Sequence, residues 1–122
     1  MEKVNHDLLT SKYTKVLHED SDIIEFNAPH HFVVVADRGD SSINTLAEVN
    51  FQKGPILENG VNGVCNEDLI AMVICRLEHF QRSEYSSRDN AMAITKLEEA
   101  LLWLRKRTIG REQRGVEGTS TV

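Results

Sequence analysis

Arg107, Arg111 and Arg114 recur at i, i+4, i+7 spacing. A helix that runs through them carries all three on one face. A guanidinium presents a planar fork of donors that matches phosphate or carboxylate geometry. Three such forks on one face would hold a compact, multiply charged anion. Basic residues also suit a helix C-terminus, where they complement the macrodipole, and Gly115 then serves as the C-cap. The spacing alone leaves both readings open.

The distribution of charge sharpens the question. The chain has 122 residues and a formal net charge of −5. Residues 1–100 carry 9 basic and 17 acidic side chains, whereas residues 101–122 carry 5 basic and 2 acidic. An acidic body with one basic patch is unlike a general DNA or RNA binder, which needs a broad basic surface. It is compatible with a local anion site. The length predicts a single domain with one ordinary core. The two cysteines, Cys65 and Cys75, do not make a disulfide framework. Both are expected as reduced thiols, with Cys75 packed in a helix. The N-terminus MEKVNHDLL lacks a basic segment followed by an apolar one, and no apolar run is long enough to span a bilayer. A cytoplasmic protein is expected.

Catalytic chemistry is not visible. None of His6, His18, His30, His31 and His79 has metal-ligand spacing. His30 and His31 would point to opposite faces of a strand. Glu98 and Glu99 diverge by about 100° around a helix and do not form an acid–base pair. No nucleophile–base arrangement stands out. Binding without a metal or cofactor is therefore the expectation.

The elements that would position the arginines are mostly legible. Residues 1–24 are weakly periodic and are expected to be extended or irregular. Asp22 to Phe26 reads as a short strand, and Ala28-Pro29 as a turn or sheet edge. His31 to Ala36 (HFVVVA) is the clearest strand, apolar enough for burial on both faces, or for one face buried and one facing a partner chain. DRGDSS at 37–42 is a turn by composition, and its Arg38-Gly39-Asp40 is read as turn rather than adhesion motif. Ile43 to Phe51 alternates, with Thr45, Ala47, Val49 and Phe51 on one face, which completes an antiparallel hairpin. Gln52 to Gly63 is loop-like. Asn66 is expected to cap a helix with a Leu69, Val73, Leu77, Phe80 stripe, broadened by Ile70, Met72 and Ile74. Ser86 or Ser87 caps the next helix, whose stripe is Ile94, Leu97, Leu101 and Leu104. The short SEYSS link makes the two an antiparallel hairpin. Leu102 and Trp103 lie off the stripe and point to a subunit contact. The fold class is α+β: a small N-terminal antiparallel sheet (strand-rich residues 1–62), then a two-helix hairpin and basic segment (63–122).

FQKGP at 51–55, GVNGV at 60–64, EDLIAMVICRLEHFQ at 67–81, the Asn90 region and RTIGREQRGVEGT at 107–119 carry a resemblance. The chain resembles the first-described type of phage Thoeris anti-defence proteins, which sequester cyclic ADP-ribose immune signals. The matching segments cover most of residues 49–119, in order. The resemblance implies an N-terminal antiparallel sheet followed by two helices, and dimers that associate further into hexamers. It implies binding of glycocyclic ADP-ribose at intersubunit pockets without cleavage, and for some members cyclic trinucleotides at separate sites. By resemblance the ligand-stacking aromatic is Phe80, the polar helix-start residue Asn90 and the phosphate-holding arginine Arg107. Arg111 and Arg114 are the candidates for any second site.

Geometry constrains that transfer. Asn90 and Arg107 are 17 positions apart, about 25 Å along one helix. A cyclic ADP-ribose is roughly half that across. One chain therefore cannot bring both to one ligand, whereas a second chain packed antiparallel would. Two other readings stay open: a hydrolase of the same cyclic nucleotide, and a helical protein-interaction module with the arginines as surface charge.

Overall fold

The computed structural model describes residues 1–37 and 44–122. The turn expected at 37–42, with its Arg38-Gly39-Asp40, falls outside the described residues apart from Asp37. The chain divides into two compact units, Met1–Val64 and Cys65–Val122.

The first unit is a four-stranded antiparallel sheet in the order β1 (Glu2–Lys3), β2 (Thr14–His18), β3 (His31–Ala36), β4 (Asn44–Asn50). β3 forms as its β-branched run predicts. β2 was not singled out in the sequence, because only Val16 and Leu17 interrupt a polar stretch; pairing to β3 makes it a strand. Phe32 packs edge-on against Phe51, ring centres 5.5 Å apart, and against His18 at 5.9 Å. All of β3 is half-buried and none of it fully buried, which departs from burial on both faces within the chain and leaves open the alternative of a face turned to a partner chain.

Three expectations need correction here. Asp22 to Phe26 is not a strand: Ser21–Ile23 is a 3-10 turn, and Phe26 and Asn27 have φ of 53° and 70°. That left-handed backbone cannot continue a ladder. Thr45 does not share a face with Ala47. The register shifts between Val34 and Val35, which pair with Ala47 and Thr45, so Leu46 is the extra residue of a bulge that flips the face. The 52–63 loop contains a helical turn, α1 (Ile56–Asn59). Side-chain amides close this loop. Asn62 exchanges hydrogen bonds with the Lys53 backbone, and Gln52 Nε2 donates to Gly60 O at 2.8 Å. Gly63 is required, since a Cβ there would lie 2.4 Å from Phe51 O.

The second unit is the helical hairpin α2 (Asn66–Gln81) and α3 (Arg88–Gln113), which pack on each other. Cys65, not Asn66, is the N-cap of α2, and Asp68 Oδ2 accepts from Cys65 N at 2.8 Å. Burial pushes the Cys65 thiol up, and the Asp68 and Glu67 carboxylates add to this. Cys75 is exposed rather than packed. Ile74 is the buried residue of α2, flanked by half-buried Ile70 and Leu77, whereas Val73 is 47% exposed. The packing stripe therefore runs through Ile70, Ile74 and Leu77. On α3 the expected stripe of Ile94, Leu97, Leu101 and Leu104 is half-buried, and Leu102 and Trp103 are 71% and 61% exposed. Among the described residues no helix is long and apolar enough to cross a membrane.

Glu19 is a fixed point of the sheet unit. Its carboxylate accepts from the backbone N–H groups of His30 and His31, at 3.1 Å each to Oε2. Burial would raise the carboxyl, but these donors outweigh it and hold it below the usual carboxylate value. A depressed carboxyl contributes stability above its unfolded value of about 4.3, lost as pH falls through the folded value. Glu19→Gln is expected to lower the melting temperature at pH 7. The difference in melting temperature should shrink as the pH falls below about 4.3 and the carboxyl becomes protonated.

Candidate functional site

Two clusters occupy opposite ends of α3. At its N-terminal end Ser87 Oγ accepts from Asn90 N at 3.0 Å and caps the helix, which places Asn90 in the first turn. Gln81, the last residue of α2, grips Ser87 twice: Ser87 N donates to Gln81 Oε1 and Gln81 Nε2 donates to Ser87 O, both at 2.9 Å. This fixes the link between the helices. Asn90 Nδ2 donates to Tyr85 O at 3.3 Å, and Tyr85 lines a cavity of about 380 Å³ with Phe80, Arg76, His79 and Ser83. Phe80 lines this cavity, whereas Asn90 is not among its lining residues and is linked to it through the Tyr85 carbonyl. Phe80 is 37% exposed, so its ring is not core.

The C-terminal end of α3 is closed by a Schellman turn. Gly115, with φ of 72°, donates to Glu112 O, and Val116 N reaches back to Arg111 O at 3.0 Å. The turn sends the chain back over the helix, and Arg111 holds it there. Arg111 Nη2 donates to Val116 O and to Thr119 O, both at 3.1 Å. Arg114 Nη2 donates to Val122 O. Arg107 is different. It is exposed, and among the described residues no hydrogen bond or ion pair engages its guanidinium. The three arginines, Lys106 and Trp103 line an open cavity of about 720 Å³ together with residues 119–122. No Asp or Glu side chain lines it among the described residues, and the anionic group at its wall is the terminal carboxylate of Val122, which accepts from Arg114. Lys106 Nζ sits 4.9 Å over the Trp103 ring.

The expected common face of arginines is therefore present, with its members unequally occupied. Arg111 and Arg114 hold the tail, and Arg107 is available. Sequence reading missed Arg76, His79 and Tyr85 around Phe80, and Trp103 and Lys106 around Arg107. Arg76 lies one helical turn before Phe80, which was the signal that could have found it. Phe80 and Asn90 are not brought to Arg107 within the chain, because α3 is one unbroken helix of 26 residues. In the sheet unit a third cavity, of about 450 Å³, is lined by Glu19, His30, His31 and Lys53. Its polar groups are largely engaged already: His31 pairs with Glu48 at 2.9 Å and Lys53 with Glu25 at 3.5 Å.

The fold and the two clusters define a small α+β protein whose helical hairpin carries a stacking surface at one end and guanidinium forks at the other. A family model described as "Acb2/Tad1, hairpin domain" matches residues 44–108. The protein named Thoeris anti-defense 1, from Bacillus phage SBSphiJ7, is 57% identical over an alignment 139 positions long, gaps included, which covers 98% of this chain and 98% of the relative. The chain belongs to this family of phage Thoeris anti-defence proteins.

Arg111→Ala removes two charge-assisted bonds to the returning tail. It is expected to cost about 2 kcal/mol of stability and to speed amide exchange at Val116 and Thr119. Both are checked by thermal melting with hydrogen exchange.

Proposed function

We propose that the protein binds cyclic ADP-ribose-type immune signals, glycocyclic ADP-ribose among them, and sequesters them intact. It inhibits Thoeris immunity by withdrawing the signal, not by cleaving it. Family membership and the name of the phage relative support the anti-defence role. The observation that carries the chemistry is the unoccupied guanidinium of Arg107 in a cavity rich in cations.

In this reading Phe80 stacks on a base, Asn90 bonds a ribose or base edge, and Arg107 forks onto the pyrophosphate. The separation along α3 requires two chains per pocket, with Phe80 and Asn90 from one and Arg107 from the other. The exposed Leu102 and Trp103 supply apolar surface for such a dimer. Arg111 and Arg114 act first on the tail and shape the pocket wall. A nanomolar sponge needs about 12 kcal/mol, whereas one charge-assisted bond contributes about 1.5–3 kcal/mol. A closed, two-chain pocket with stacking and several donors is consistent with that demand. The same arithmetic leaves a bare surface arginine far too weak.

Arg107→Ala is expected to weaken binding of a cyclic ADP-ribose isomer at least about tenfold by calorimetry. Its melting temperature should stay unchanged, because among the described residues no hydrogen bond or ion pair engages Arg107. Unchanged affinity would remove Arg107 from the pocket. A mixing experiment addresses the two-chain pocket directly. Phe80→Ala and Arg107→Ala proteins should each bind poorly alone. Co-expressed, they pair at random into dimers of which about half are mixed, and two-fold symmetry gives each mixed dimer one intact pocket, so tight binding should return in about a quarter of all pockets. No recovery from demonstrably mixed dimers would sink the arrangement.

A further inference from the structure

Arg76 stands one turn before Phe80 on α2, with its guanidinium carbon 5.3 Å from the centre of the Phe80 ring. Both line the same 380 Å³ cavity. The other walls of that cavity are held by hydrogen bonds. Ser83 Oγ donates to Phe80 O at 2.6 Å and accepts from Tyr85 N at 3.1 Å. His79 Nδ1 lies 2.9 Å from Cys75 O. Asn90 Nδ2 holds the Tyr85 carbonyl. Arg76 has no such tether. Although the chain is acidic overall, no hydrogen bond or ion pair engages its guanidinium among the described residues. Its contact is the ring.

We propose that Arg76 is a ligand-contacting residue that caps the Phe80 ring in the free protein and clamps a nucleobase against it in the bound one. The inference rests on the sequestration reading above and adds a residue to its pocket. A base slotted between ring and guanidinium needs about 7 Å between them, twice the contact distance of about 3.5 Å. The present gap is 5.3 Å. The guanidinium therefore has to move outward by roughly 2 Å, which a long side chain without a polar tether does without breaking a bond. The cap keeps the ring face covered until a base replaces it. Once in place, the guanidinium plane stacks on the base from the side opposite Phe80, and its charge favours an electron-rich purine. The ligand class this suits is a purine nucleotide, with the base at Phe80 and the phosphates held elsewhere.

The test is calorimetry of the full chain with a panel of cyclic ADP-ribose isomers, comparing wild type, Arg76→Ala and Arg76→Lys. Melting curves accompany each variant, and all three should coincide, because Arg76 is exposed and holds nothing else in place. Arg76→Ala is expected to weaken binding about fivefold to thirtyfold, the span of a desolvated cation–π contact. Arg76→Lys, which keeps the charge and loses the plane, should recover only part of that loss. A loss smaller than fivefold for Arg76→Ala, or full recovery by Arg76→Lys, overturns the clamp. If wild type binds none of the isomers, the sequestration reading itself falls and the clamp with it. If wild type binds and Arg76→Ala binds equally well, the clamp alone falls.

Discussion

Twenty-six residues of unbroken helix, Arg88–Gln113, keep Asn90 and Arg107 about 25 Å apart, since each residue adds 1.5 Å of rise. Everything proposed about the site follows from that spacing. In the proposed reading, the cluster around Phe80 and the guanidinium cluster each supply half of what an ADP-ribose-like ligand needs, and a ligand of this size would meet both only where two hairpins run past each other. On that reading binding and assembly are one property, and a change that separates the chains would remove the pocket without touching a ligand contact.

Both ends of the helix are prepared by local devices with little cost in stability. At the start, the Ser87 cap and the paired Gln81–Ser87 bonds hold the link in one shape, and Asn90 holds the carbonyl of Tyr85, which lines the cavity at Phe80. At the end, the Schellman turn at Gly115 returns the chain so that its carbonyls meet Arg111 and Arg114. Arg111 and Arg114 donate to the returning tail, whereas among the described residues no hydrogen bond or ion pair engages Arg107. In the proposed reading its partner is an anion from outside the chain.

Much of this was legible in the sequence, because it depends on local rules. The β-branched run His31–Ala36, the Ser87 cap, the i, i+3, i+4 stripe of α3 and the glycine after Arg114 each report their own structure. What was not legible depends on distant partners. β2 is a strand because β3 lies beside it. Asp22 to Phe26 has a strand-like composition but meets left-handed backbone at Phe26 and Asn27. The bulge at Leu46 flips Thr45 away from Ala47. The burial of Ile74 in place of Val73 follows from how α2 rolls onto α3. At the candidate site, spacing placed three arginines on one face but did not show that the returning tail occupies two of them. The cluster around Phe80 needed the geometry of the link, which no periodicity encodes.

The most direct measurement is a capture-and-release experiment. The protein is incubated with a cyclic ADP-ribose isomer and filtered, the retained protein is heated to denature it, and both fractions are analysed by liquid chromatography with mass spectrometry. Sequestration predicts ligand depleted from the filtrate and recovered intact, in cyclic form, after heating. A linear product in either fraction would contradict it and make the protein a hydrolase. Ligand left untouched in the filtrate would contradict it as well, and would leave the hairpin as a surface for another protein.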